Sequence, residues 1–380
     1  NNQNMRIAII SLPLSYNYGG YLQCYALMEI LRELGHEVYY LQREKGKQSS
    51  LKKIIDSFKS ICEHIGLENI IYTFEKQTNS GLFYKTKYFR LFTRKYIKTI
   101  SPVLRSTDDI RSYCKKHNIQ AYITGSDQIW RGSYSRSVND AFLGFAQKNA
   151  IKIAYAPSFG SDIWEFTKEQ TDFIENQLNT FKAISVREKD GIKLLEKNIK
   201  LNITPIVVLD PTLLLSKEHY LNITKQVPYR KGVLTYILNN NEKKAHIINE
   251  FCKKRNLQSY SVINPKTNSN TIKGAQGYPI EDWIAGFRDA NFVMTDSFHA
   301  IVFSIIFNKP FWVFENEARG NSRLKNILQL FECNDRFIST QEDLNTIEWE
   351  RPIDWNKINY IKDIQTKKSL DFLKNALYND

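Results

Sequence analysis

The sequence predicts an α/β protein of two Rossmann-like domains facing a central cleft. Three observations carry this. Strand-length apolar runs alternate with helical-period segments from the start of the chain, the signature of βαβ units and parallel sheets. The alternation breaks at residues 222–232 and then begins afresh, which makes two series. A chain of 380 residues exceeds one average domain, and its 42% apolar share suffices for two cores.

In the first series, Arg6 to Leu12 reads as a strand, Pro13 to Gly20 as a loop and Tyr21 to Leu34 as a helix. Leu22, Tyr25, Ala26, Leu27, Ile30 and Leu31 fall at helical spacing, and Gly35 sits where a C-cap glycine belongs. Val38 to Leu41 is the next strand. Residues 43–100 are irregular, rich in Lys and aromatics, and read as helices and loops. Strands follow at Ala121 to Thr124, Ile153 to Ala156, Ala183 to Val186 and Ile206 to Leu209. The helices between them are Lys168 to Asn179 and Asp190 to Lys197.

The second series opens after the stretch Asn222 to Gly232, which reads as a linker. Its strands are Val233 to Leu238, Ser259 to Ile263, Phe292 to Thr295 and Pro310 to Phe314. Its helices are Glu242 to Arg255, Ile280 to Asp289 and Phe298 to Phe307, and an amphipathic tail runs from Trp355 to Leu377.

Charge narrows the partners. With 53 Lys and Arg against 40 Asp and Glu, the net charge is +13, which favours phosphates, anionic sugars or an anionic surface. No zinc-finger spacing, RNP-like strand or basic zipper is present, so nucleic acid is not an expected partner. The five cysteines are odd in number and form no CxxC. That argues against a disulfide framework and a Cys-ligated zinc, and fits a reducing cytoplasm. The longest apolar stretches, such as Ala300 to Phe307, are too short to span a bilayer. No HxH, HExxH or carboxylate cluster calls for a metal.

In open α/β sheets ligands bind beyond the carboxyl ends of the strands, and the unusual polar motifs cluster there. Asn17-Tyr18-Gly19-Gly20 precedes a helix, where glycines admit a close ligand and free N–H groups favour an anion. A plain turn needing positive φ is the alternative. Asp127 and Trp130 suit a sugar, with hydroxyls to the acid and the apolar ring face on the indole. Equally, Asp127 reads as a helix cap and Trp130 as core.

His299 falls in the first turn of a buried helix. The helix dipole there disfavours imidazolium, and a neutral imidazole suits a general base or proton shuttle. Asp296 and Ser297 are candidate caps for that helix. A His bonded to backbone at a domain contact is the alternative. The other five His read as surface residues. Arg187, Arg319 and Arg323 lie after strands, where guanidinium groups suit a phosphate or carboxylate, or else form structural ion pairs.

Taken together, six segments resemble the polysaccharide pyruvyl transferase family. They are Asn17 to Leu27, Thr124 to Trp130, Ser185 to Glu188, Leu209 to Leu215, Thr295 to Phe311 and Asn321 to Leu324. They follow the family's order and span roughly residues 5–335. The resemblance implies a fold like the two-domain glycosyltransferase-B (GT-B) architecture. It also implies phosphoenolpyruvate as donor, a sugar of a growing surface glycan as acceptor, and a cyclic pyruvate ketal as product.

Following that resemblance, residues 5–225 form the acceptor-side domain and 226–345 the donor-side domain. The tail, 346–380, packs back on the first. Arg187 and Arg323, with Arg319 in reserve and Ser297 nearby, hold the donor. His299 and Asp127 serve the chemistry. Asn17, Gly19, Gly20, Gln128 and Trp130 line the acceptor wall. No cofactor is required beyond phosphoenolpyruvate as co-substrate. A lipid-diphosphate-linked acceptor would place the enzyme at the inner face of the cytoplasmic membrane. The basic aromatic stretch Lys87 to Tyr96 is the candidate for contact with anionic lipid there, and a helix with a solvated basic face is the alternative. Two other activities fit the same architecture: nucleotide-sugar-dependent glycosyl transfer, and non-catalytic binding of an anionic glycan.

Overall fold

The computed structural model describes residues 4–14, 17–44, 86–135, 137–263, 277–317, 320–339 and 347–378, with short pieces between 54 and 71. Two all-parallel sheets form, as the two alternating series require. The first runs β2 (Glu37–Tyr40), β1 (Arg6–Ile10), β3 (Ala121–Thr124), β4 (Ile151–Ala154), β5 (Ala183–Val186), β6 (Ile206–Val207). The second runs β11 (Phe337–Ile338), β10 (Phe311–Phe314), β9 (Phe292–Thr295), β7 (Val233–Tyr236), β8 (Ser259–Ser261). In both sheets the strand order reverses beside the first strand. Each therefore has a topological switch point, between β1 and β3 and between β7 and β9, where a crevice opens beyond the strand ends.

The strands are apolar runs buried on both faces: Ile7, Ile9, Ala121, Ile123, Ile153 and Val293 have essentially no exposed surface. Helices cover both sides of such sheets, so strict alternation is not needed.

Aromatic side chains join the two halves. Tyr18 stacks on Trp283 at 5.6 Å and 11°, and its hydroxyl donates to the Tyr278 carbonyl at 2.9 Å. Tyr220 meets Phe303 edge-on at 4.9 Å. Burial of each such ring contributes roughly 1.5–3 kcal/mol, so the halves are held together without a ligand. Polar ties add register: the Asp190 carboxylate accepts from Ser322 Oγ at 2.5 Å and Asn326 Nδ2 at 2.7 Å. The C-terminal helix Trp355–Tyr378 crosses to the first sheet. There Ser369 Oγ accepts from the Leu209 amide at 2.9 Å, and Tyr378 donates to the Leu34 carbonyl at 2.6 Å.

Some sequence expectations change. The first helix starts at Tyr18, three residues earlier than its apolar period suggests, because Tyr18 caps the aromatic contact with the other half. The pair Gly19-Gly20 is therefore helical and not a loop, and neither residue has positive φ. His36 is buried, not a surface residue; its Nδ1 accepts from the Met5 amide at 3.3 Å, and burial pushes its pKa down. Within Lys87 to Tyr96 the two phenylalanines point inward: Phe89 and Phe92 are fully buried against Tyr18, Tyr21 and Tyr25, whereas Tyr88 and Tyr96 are half-buried. The phenylalanine rings cannot touch a membrane. The helix Ser322–Leu330 and the short β11 were not anticipated.

Candidate active site

The site forms where the carboxyl ends of the two sheets meet. It is assembled around one carboxylate, Asp210, that follows β6. Asp210 is 1% exposed, and every partner it has is polar. Its Oδ1 accepts from the Thr212 amide at 3.1 Å and the Thr212 hydroxyl at 2.6 Å. Its Oδ2 accepts from Ser126 Oγ at 3.0 Å and Arg187 Nη1 at 3.2 Å, and lies 3.5 Å from His299 Nε2. Burial alone would raise its pKa. His299 and then Arg187 outweigh that and hold the carboxyl far below its ordinary range.

Arg187 directly follows β5 (Ala183–Val186), beyond the carboxyl end of the strand. Besides Asp210 it meets Glu188 Oε2 at 3.3 Å from Nε and Asp127 Oδ1 at 3.6 Å from Nη1. Its guanidinium lies 4.1 Å over the Phe298 ring, from the other half. One nitrogen, Nη2, is buried without a hydrogen bond. Arg323, on the helix after β10, is buried beside it. Burial and the like charge of Arg187 push its pKa down to about 10. Both guanidinium groups thus lie in a water-poor wall, where burial disfavours the charge of Arg187 but the carboxylates of Glu188, Asp127 and Asp210 balance it and raise its pKa above the ordinary guanidinium value.

Asp127 has φ 69° and ψ −171°, a region that only glycine adopts at ease. The strain, of order 1–3 kcal/mol, is held by a bridge to Pro157 and by the Ser158 amide donating to the Asp127 carbonyl at 2.8 Å. Its effect is to keep the Asp127 carboxylate on Arg187. Glu188 is fixed from the far side by the Ser158 hydroxyl.

His299 lies in the first turn of helix Phe298–Ile306, and its ring fills the space beside Gly19. A Cβ on Gly19 would fall 2.1 Å from Nδ1. The glycine is needed for close approach across the cleft, not for a turn. Neither Asp296 nor Ser297 caps this helix through its side chain. Asp296 instead braces the facing loop: it accepts from the amides of Leu238 (2.6 Å) and Asn239 (3.0 Å) and from the buried Lys244 Nζ at 2.9 Å. Ser297 stands next to the site at the N-cap.

The structure therefore brings together His299, Asp127, Arg187, Arg323 and Gly19, with Gly20 and the exposed Asn17 at the start of the facing helix. Gln128 is bonded through Oε1 to Arg131 Nη1 at 3.2 Å. Trp130 is different. It has no exposed surface, stacks on Phe142 at 4.9 Å and donates from Nε1 to the Ala141 carbonyl at 3.2 Å. The indole is core, so we withdraw it from the acceptor wall. Arg319 lies outside the described residues. Asp210 and Glu188 were not assigned roles from sequence, although both stand in strand-end motifs.

Comparison with known proteins bears on the family and the fold. The sequence profile of the polysaccharide pyruvyl transferase family matches residues 17–317. The chain belongs to this family. That profile spans the site residues named above except Arg319 and Arg323. No curated protein matches the chain. Among solved structures, it resembles the UDP-GlcNAc 2-epimerase of Neisseria meningitidis bound to UDP-GlcNAc, at 8% identity and TM-score 0.52, over 99% of this chain and 100% of that one. It also resembles the UDP-GlcNAc 2-epimerase of Methanocaldococcus jannaschii in complex with UDP-GlcNAc and UDP, at 10% identity and TM-score 0.50, over 96% and 100%. At such identity the likeness concerns the fold, the GT-B type with two facing α/β domains.

Proposed function

We propose that this transferase moves the pyruvyl group of phosphoenolpyruvate onto two hydroxyls of one sugar in a bacterial surface polysaccharide precursor, forming a cyclic ketal. The observation that supports this most is the juxtaposition of the buried guanidinium groups of Arg187 and Arg323 with the neighbouring His299 and Asp210. The donor is a small enol phosphate that carries a phosphate and a carboxylate. It needs cations for its phosphate and carboxylate, and a proton at C3.

The step balances as follows. A proton adds to C3, which becomes the methyl group, and C2 gains oxocarbenium character. One sugar hydroxyl attacks C2 and loses its proton. The C2–O bond to phosphate breaks and inorganic phosphate leaves. The second hydroxyl closes the ring on C2 and gives up its proton. His299 moves the protons. Asp210, 3.5 Å from Nε2, balances the charge of the ring when it is protonated. Arg187 and Arg323 hold the donor's anionic groups and stabilise the departing phosphate. Asn17, Gly19 and Gly20 line the side from which the diol approaches.

The deciding experiment is thermal stabilisation by phosphoenolpyruvate with UDP-sugars alongside, since a ligand that binds the native state raises apparent stability. A shift with phosphoenolpyruvate that disappears in Arg187→Ala is the expected result. A shift with a UDP-sugar alone would replace this reading with glycosyl transfer.

A further inference from the structure

Beside the second switch point a lysine stands in an unfavourable place. Lys244 is the third residue of the helix Glu242–Lys254, which follows β7, and it is only 1% exposed. A cation in the first turn of a helix meets the positive end of the helix dipole, and a buried one also forfeits its hydration. A methionine there would incur neither cost. Buried ion pairs contribute little net stability against apolar residues of similar volume, so stability does not account for Lys244. Its contacts do. Nζ donates to the Asn239 carbonyl at 2.8 Å and to Asp296 Oδ2 at 2.9 Å.

Asp296 ties the second half of the site together. It immediately precedes Ser297, the N-cap of the helix that carries His299. Its carboxylate holds the amides of Leu238 and Asn239 beyond β7. Next to it, the Thr295 hydroxyl donates to the Tyr236 carbonyl at 2.6 Å and accepts from the Ser297 amide at 3.0 Å. The Asp296 carbonyl accepts from Nδ2 of the buried Asn316 at 3.3 Å. The Asn316 amide in turn donates to Asn321 Oδ1 at 2.6 Å. Asn321 is the N-cap of the helix Ser322–Leu330, whose second residue is Arg323. One chain of polar contacts thus runs from Lys244 through Asp296 and Asn316 to the starts of both helices, the one bearing His299 and the one bearing Arg323.

We propose that Lys244 and Asn316 are positioning residues: acting through Asp296, they fix where the two helices begin and so set His299 and Arg323 against Arg187 and Asp210. What His299 and Arg323 then do rests on the pyruvyl reading, but their placement is measurable without turnover.

The test separates position from stability by removing the two charges together. Lys244→Met alone leaves the Asp296 carboxylate without a countercharge and should lower the thermal midpoint. Lys244→Met/Asp296→Asn removes both charges and should recover most of it. A pair that only stabilised the fold would give back wild-type behaviour at that point. We expect a displaced His299 instead. In histidine-labelled full-length protein, the NMR signal of the His299 ring, assigned by its loss in His299→Ala, should move in the double variant. The signals of His36 and His117, in the first half, should stay. Phosphoenolpyruvate at about a hundred times its wild-type Kd should give the double variant about half the wild-type thermal shift, the effect of a roughly tenfold weaker Kd. Asn316→Ala keeps the ion pair and cuts the tie to the Arg323 helix, so it should reduce that shift likewise, and it decides the matter if the double variant does not fold. An unmoved His299 signal in the double variant, or an undiminished phosphoenolpyruvate shift in Asn316→Ala, overturns the proposal. If wild type itself shows no shift with phosphoenolpyruvate, the pyruvyl reading fails, and the His299 signal in the two variants decides the positioning.

Discussion

Gly19 and His299 touch across the junction of the two domains, so closely that a methyl group at position 19 would lie 2.1 Å from Nδ1 of the imidazole. The contact couples the first turn of one helix to the first turn of another, 280 residues away in sequence. Gly19→Ala should therefore separate stability from activity. Helix propensity favours alanine by about 1 kcal/mol, which offsets part of the steric cost. The ring must nonetheless swing away from Asp210, and a displacement of about 1 Å costs on the order of a hundredfold in rate. We expect a thermal midpoint within a few degrees of wild type and a drop in kcat/KM of about a hundredfold or more. Wild-type turnover in Gly19→Ala would show that the ring's position is immaterial.

His299→Ala should lower kcat by about 10²–10⁴-fold while leaving stabilisation by phosphoenolpyruvate intact, because the arginines still hold the donor. Near-normal phosphate release with the acceptor present would remove His299 from proton transfer.

Asp210→Asn tests the centre of the network and its pH dependence. The folded carboxyl is held below its unfolded value of about 3.8. Its contribution to stability is thus fully present above that value and is lost as pH falls through the folded pKa. Removing one partner of a buried ion pair costs about 3 kcal/mol or more, and Arg187 keeps Asp127 and Glu188, so the low end applies. At neutral pH the variant should be less stable by roughly that amount. The gap to wild type should narrow as pH drops below 4. A gap that stays constant down to acid unfolding would contradict the depressed carboxyl.

Arg323→Ala should abolish most of the thermal shift given by phosphoenolpyruvate and raise its KM at least about tenfold. Arg323→Lys should rescue this only in part, since an ammonium cannot make the planar double contact. A full shift in Arg323→Ala would leave Arg187 as the donor's sole anchor.

Trp130→Phe should cost about 1–2 kcal/mol through the lost bond to the Ala141 carbonyl and leave the KM for the sugar acceptor unchanged. A large rise in that KM with little change in stability would restore the indole to the acceptor wall.

The order of elements was readable because period and turn chemistry are local properties. Strands such as Ala121–Thr124, Ala183–Val186 and Phe292–Thr295 are short apolar runs between polar breaks, and their limits match the sequence reading residue for residue. Local order also put His299 in a first helical turn and Arg187 at a strand end. What each side chain meets was a different matter. Trp130 looked like a sugar platform because its neighbours in sequence are polar, yet Phe142 and Phe159 cover it in space. The pair Gly19-Gly20 looked like a turn, and only the ring of His299 shows why no Cβ fits at position 19. Asp210 drew no role, because its partners Ser126, Arg187 and His299 come from three other segments and two different sheets. The sequence by itself determined the two series of parallel strands and the family, while the strand orders and their switch points came from the fold. The fold decided which charges share one dry wall, because Coulomb and packing terms depend on distances of 3–4 Å that only chain closure sets.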